Sequence, residues 1–159
     1  MTQKNMILRP KIALYEPDIP QNTAAIVRTC SCFDTILEII EPCGFMLNDK
    51  RFKRVVMDYF DEKMIKFYKS YDDFFKIKKK RKERIILMTT KGSISYSNFQ
   101  FKVTDTILFG RESAGVPEKI HKLVNSRVKI PLSLKKRSLN LASSVAIALT
   151  ESLRQNKLL

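Results

Sequence analysis

Short apolar runs alternate along this chain with longer stretches in which apolar residues recur every three or four positions. The first kind of run predicts buried strands, at 12–15, 36–40, 64–67, 85–89, 106–109 and 128–130. The second kind predicts helices, at 23–32, 50–57, 71–80, 117–123 and 141–156. Strand and helix in alternation imply an α/β fold, with a mainly parallel sheet flanked by helices. In the last helix Leu141, Val145, Ala148, Leu149 and Leu153 fall on one stripe, which is expected to be buried.

Several boundaries have local causes. Pro17 and Pro20 keep the segment before the first helix out of helical geometry. Asn22 is expected to cap that helix. Pro117 suits a first helical turn, where a missing N–H costs nothing. Gly110 directly follows an apolar strand, so it belongs at the carboxyl end of the sheet, where open α/β folds bind ligands. Residues 1–10 read as an N-terminal extension and 11–159 as a single domain. There are no internal repeats and no Pro/Gly/Ser-rich linker to divide the chain.

At 159 residues and 44% hydrophobic content, the chain is long and apolar enough to build one core. No apolar run approaches the roughly 20 residues that cross a bilayer, and the start lacks a signal-peptide core. A cytoplasmic protein with no membrane partner is expected. The 30 Lys and Arg against 16 Asp and Glu leave a net charge of +14, which favours a polyanionic partner. The densest basic run, from Lys76 to Arg84, suits either a solvated helix end or a phosphate-contacting patch.

Most familiar chemistries are excluded by what is missing. Three cysteines, Cys30, Cys32 and Cys43, form no disulfide framework, and one histidine leaves no metal-ligand set. Cys30 and Cys32 are expected to pack beside the first helix. His121, between Lys119 and Lys122, reads as an exposed helix residue. Gly110 and Gly115 have P-loop spacing, but Val116-Pro117 follows where Lys and Ser/Thr are needed. Four glycines supply no dinucleotide fingerprint. What remains is chemistry done by positioning, with carboxylate, amide, hydroxyl, guanidinium and backbone groups.

Three segments carry that chemistry: Asn22-Thr23-Ala24-Ala25-Ile26-Val27-Arg28, then Phe109-Gly110-Arg111-Glu112-Ser113-Ala114-Gly115-Val116-Pro117, then Arg137-Ser138-Leu139-Asn140-Leu141-Ala142. In the first, Arg28 interrupts an apolar stretch, and a buried arginine needs an anionic or hydrogen-bonding partner. Asn22 and Arg28 do not share a helix face, so they have separate tasks. In the second, Gly110 allows close backbone approach and Gly115 a turn with positive φ. In the third, Ser138 and Asn140 open a helix, where capping alone would account for them.

In order and separation these segments resemble the three motifs of the SPOUT methyltransferases, and in particular the small TrmL-type tRNA ribose 2′-O-methyltransferases of the SpoU/TrmH class. The resemblance runs from about Lys11 to Arg154. It implies a Rossmann-like sheet with a C-terminal deep trefoil knot, and S-adenosyl-L-methionine held bent within the knotted loops. Residue by residue, it places Met88, Thr89, Gly110, Ile130, Leu132, Ser138 and Leu139 around that cofactor. It makes Arg28, Glu112 and Asn140 catalytic, and Asn22, Arg28 and Arg137 contacts to the RNA. The family's arginine has been proposed as general base. Guanidinium stays protonated in proteins, so Arg28 is better suited to binding the adjacent phosphate and stabilising the emerging 2′-alkoxide. A carboxylate or solvent would take the proton.

The activity implied is methylation of the wobble nucleotide (position 34) of tRNA anticodons by a homodimer, without a metal. Another tRNA or rRNA ribose, or a non-catalytic RNA-binding role for the same knot, are the alternatives. The last helix could serve the dimer interface or the core. The chain departs from the family pattern at Ala24, Ala25, Arg111, Ala142 and Thr150.

Overall fold

The computed structural model describes residues 7–48, 50–56, 59, 61, 63–135 and 137–159. Its strands are β1 (Lys11–Tyr15), β2 (Leu37–Ile40), β3 (Ile65–Tyr68), β4 (Ile85–Met88), β5 (Ile94–Ser95), β6 (Thr106–Phe109) and β7 (Ser126–Lys129). Its helices are α1 (Pro20–Cys32), α2 (Lys50–Val56), α3 (Tyr71–Lys80), α4 (Glu118–Leu123) and α5 (Leu141–Gln155). The strands form one sheet in the order β3-β2-β1-β6-β4-β7-β5, and every pairing is parallel. From β1 the chain passes out to β2 and β3, then crosses to the other side of β1, where β6 inserts between β1 and β4, so loops from distant parts of the sequence gather above the carboxyl ends of the central strands.

The apolar runs are buried on both faces because helices cover both faces. Alternate residues sort to opposite layers. Ile12, Leu14, Leu37, Ile39, Ile86, Ile107 and Phe109 join a core with α1, α2 and α5. Ala13, Tyr15, Ile40, Ile85, Leu87 and Leu108 join a second core with α3 and α4. The α5 stripe is buried at Val145, Ala148, Leu149 and Leu153, with Leu141 partly buried against the same core.

Four expectations need correction. The helix starts at Pro20, with Ile19 in the capping position and no side-chain cap, so Asn22 lies inside the first turn. Pro20 opens the helix, where its fixed φ suits a first helical position, and Ile19 before it is extended, so the segment ahead of the helix stays out of helical geometry as expected. Pro117 sits one position ahead of α4, in the capping position. Cys30 is buried as expected, but Cys32 is exposed. His121 is only 7% exposed, because it shares the inner side of α4 with the buried Ile120. The edge strand β5 was not anticipated: two residues give no readable period. Of the expected helix 50–57, residue 57 lies outside the described residues.

The basic run of α3 is not uniformly solvated. Lys78 is fully buried and its Nζ lies 2.6 Å from a carboxylate oxygen of the equally buried Glu38 and 2.7 Å from Glu83. Tyr68 donates a hydrogen bond to Glu38, and Lys11 pairs with Glu83. Burial pulls the Lys78 ammonium below its ordinary pKa, and Glu38 opposes that pull. Arg84, at the end of the run, makes two 2.8 Å contacts with Asp105. No helix among the described residues is long and apolar enough to cross a membrane.

Candidate active site

Above the carboxyl ends of β4, β6 and β7 lies a cavity of about 590 Å³, within the size range of small-ligand sites. All seven residues expected around a cofactor line it: Met88, Thr89, Gly110, Ile130, Leu132, Ser138 and Leu139. So do Asn22, Glu112 and Asn140. Its inner wall is apolar, with Leu87, Met88 and Phe109 buried. Its rim, with Lys91, Ser138 and Asn140, is exposed.

One chain of side-chain hydrogen bonds joins the three motifs. Asn140 donates from Nδ2 to Asn22 Oδ1 at 2.9 Å, and Asn22 donates from Nδ2 to Glu112 Oε1 at 3.2 Å. The other Glu112 oxygen accepts the Asp18 backbone N–H at 3.0 Å, while the Glu112 backbone N–H donates to Asp18 Oδ1. Asn140 also caps α5, its side-chain oxygen accepting the Ser143 N–H. Capping and network membership therefore coexist in one residue, because an amide side chain carries both a donor and an acceptor.

Asp18 and Arg111 were not anticipated in this network. Arg111 approaches Glu16 and Asp18 at 3.4 Å each, so a residue at which the chain departs from the family pattern ties two loops together. The Ser113 hydroxyl also bonds to Asp18. The pairing of Asp18 with Glu112 is the main influence holding the Asp18 carboxyl down at about 2, and the Ser113 hydroxyl adds to it. Burial, then the Asp18 side chain, pushes Glu112 upward. The sequence signal for Asp18 was its place between Pro17 and Pro20, in a rigid loop at the end of a central strand.

The two glycines act differently. A Cβ on Gly110 would lie 2.6 Å from the Gly115 backbone, so Gly110 is needed for the loop to close on itself, and the same residue lines the cavity. Gly115 has φ +66°, as expected, with open space around it. The turn is fastened by reciprocal Arg111 and Gly115 backbone hydrogen bonds.

Arg28 and Arg137 do not line the cavity. Arg28 is exposed, contrary to the expected burial, with its guanidinium 4.9 Å from the Tyr59 ring centroid. It shares an exposed stripe of α1 with Gln21, Ala25 and Cys32. Arg137 is exposed on the loop before α5. Among the described residues no group of three or more His, Cys, Asp or Glu side chains could hold a metal ion.

Residues 9–150 match the SpoU rRNA Methylase family. The chain belongs to that family. Among its SpoU relatives, a tRNA (cytidine(34)-2′-O)-methyltransferase of Ancylobacter novellus is 43% identical, over 91% of each chain. The enzyme of that name from Escherichia coli K12 is 34% identical, over 91% of this chain and 92% of its own. A protein solved in work on 2-OH methylation of C/U34 on tRNA superposes with a TM-score of 0.88 at 33% identity, covering 94% of this chain and 97% of its own. A SpoU methyltransferase from Streptomyces viridochromogenes, solved with AdoMet, shares the fold at TM-score 0.80 and 18% identity, over 94% of this chain and 58% of its own.

Proposed function

We propose that this protein is an S-adenosyl-L-methionine-dependent tRNA 2′-O-methyltransferase acting on the ribose of the wobble nucleotide 34. The observation that carries this reading is the meeting of three motifs at one cavity through the Glu112–Asn22–Asn140 chain. The relatives' shared activity and near-complete mutual coverage support it. Residues 11–159 then act as one domain, with the loop after β7 passing through the loop after β6 in the family's trefoil knot.

The cavity fits the cofactor by its chemistry. Its apolar inner wall suits a flat base, and its polar rim suits the charged methionyl end. The cofactor, when bound, supplies a methyl group already activated by sulfonium. The chain's own contribution is alignment and exclusion of water. Met88 and Ile130 exclude water from the inner wall. Glu112, with both carboxylate oxygens occupied, fixes Asn22 and the Asp18 loop, so its role is to position the acceptor side of the site. Asn140 holds the start of α5 against the same network.

Arg28 lies outside its own chain's cavity, on an exposed helix face. This placement favours a homodimer in which Arg28 and the basic Arg137 reach RNA beside the partner's cavity. There Arg28 would bind the adjacent phosphate and neutralise charge developing on the 2′-oxygen.

Incubation with methyl-labelled cofactor and tRNA, followed by mass spectrometry of nuclease fragments, tests the proposal. Label on the 2′-oxygen of nucleotide 34 is expected. RNA binding without any transfer would instead make the protein a binding module.

A further inference from the structure

The cavity lining includes three side chains of the ammonium, guanidinium or carboxylate kind: Lys91, Arg111 and Glu112. Two of them are engaged within the protein. Arg111 approaches Glu16 and Asp18, and Glu112 accepts from Asn22 and from the Asp18 backbone. Lys91 is different. It takes part in none of the ion pairs among the described residues, and it is exposed at the cavity rim.

The backbone under Lys91 is held in place. Thr89 donates its N–H to the Val128 carbonyl at 2.9 Å, and the Gly92 N–H donates to the Thr89 carbonyl at 3.0 Å, which closes a turn around Lys91. The Lys91 N–H itself donates to Thr89 Oγ1 at 3.2 Å. Gly92 lies so close to β7 that a Cβ there would sit 2.6 Å from the Val128 carbonyl carbon and 2.7 Å from the Lys129 nitrogen. The turn is therefore seated on the sheet, and it carries Lys91 at one point of the rim.

A cation fixed beside a cavity whose other charges satisfy one another favours an anionic group in what binds there. An ammonium serves carboxylate and phosphate alike, as a point charge. The two arginines placed at the RNA above, Arg28 and Arg137, do not line the cavity, so neither fills this position. We propose that Lys91 is an anion-binding residue of the site, its ammonium taking a carboxylate or phosphate group of a ligand bound at the rim. This deepens the methyltransferase reading and rests on it. That reaction offers two such groups: the carboxylate of the cofactor's methionyl end, and an RNA phosphate beside the acceptor ribose.

Two variants test the charge. Lys91→Gln removes it and Lys91→Arg keeps it, and circular dichroism checks that both fold. Calorimetry with S-adenosylhomocysteine reads the carboxylate, with 5′-deoxy-5′-methylthioadenosine, which lacks that group, as the control. Titration with tRNA at several salt concentrations reads the phosphate. If the carboxylate is the partner, Lys91→Gln should bind S-adenosylhomocysteine about two- to fivefold more weakly, the worth of one exposed ion pair, and methylthioadenosine unchanged. If a phosphate is the partner, tRNA affinity should fall by about the same factor at low salt, and the slope of log affinity against log salt should drop by about one. In either case Lys91→Arg should bind like the natural protein. The inference is overturned if Lys91→Gln binds S-adenosylhomocysteine and tRNA normally, if methylthioadenosine shares the whole loss, or if Lys91→Arg is as weak as Lys91→Gln. A natural protein that binds neither S-adenosylhomocysteine nor tRNA would sink the methyltransferase reading itself.

Discussion

At the scale of single residues, the site depends on groups that hold one another. Asp18 and Glu112 are linked through backbone and side chain in both directions, and their titrations move apart. Asp18 is held at about 2, below its ordinary 3.8. Its contribution to stability is therefore present above about pH 4 and is lost as pH falls toward 2. Glu112 is raised, so its effect has the opposite sign: the proton is held more tightly in the folded chain, and that contribution fades as pH rises through its folded value. Asp18→Asn should thus be clearly less stable than the natural protein at pH 6, and the difference should close as pH approaches 2. Urea midpoints measured across that range decide it; a gap that stays constant would mean that the Asp18 charge is not what the loop uses. Glycine positions give a second test. Gly110→Ala forces a Cβ to within 2.6 Å of Gly115 backbone and should abolish cofactor binding by calorimetry. Gly115→Ala meets no atoms; it should cost only the roughly 1–2 kcal/mol of a left-handed backbone and keep measurable binding.

At the scale of elements, α3 is fastened to the sheet by charge as well as by apolar contact. Phe74 and Tyr71 pack in the second core, and Lys78 reaches Glu38 in the middle of β2. The pattern left a signal in the sequence: Glu38 interrupts the apolar run Leu37-Ile39-Ile40, and Lys78 follows Tyr71 and Phe74 on one helical stripe. Two lone charges on apolar faces call for each other. Removing one partner strands the other in a low-dielectric interior, at about 3–5 kcal/mol. Lys78→Met should lose stability of that order in urea denaturation, while Lys78→Met combined with Glu38→Gln should lose less than Lys78→Met alone. A double variant as unstable as the sum of its parts would mean that the two residues act independently.

At the scale of the whole molecule, the position of Arg28 is the feature with most consequence. Its stripe on α1 was legible as separate from that of Asn22, but its distance from the cavity was not, because strand order decides which helix faces stay uncovered. If Arg28 serves the partner's cavity, mixing two inactive proteins should restore methyl transfer. Arg28→Ala keeps its cavity, Gly110→Ala keeps its arginine, and a dimer of one with the other has one complete site. No recovery after co-refolding would place Arg28 at its own chain's chemistry or outside the reaction. The net charge of +14 adds an independent expectation: tRNA affinity should fall steeply with salt, by about 10³- to 10⁵-fold between 50 and 200 mM if 6–10 phosphates are neutralised.

The sequence by itself determined the alternation of strands and helices, the buried stripe of α5 and the three segments that line the cavity. The first two follow from local periodicity, which neighbouring residues settle among themselves, and the three segments were legible through their resemblance to the family's motifs. Only the tertiary structure decided that Asn22 bonds to Glu112 and Asn140 instead of capping its helix, that Arg111 and Asp18 belong to the same clasp, and that His121 turns inward. Those outcomes depend on which loops the parallel sheet delivers to one edge, and a hydrogen bond between residues 118 positions apart leaves no periodic trace in the chain.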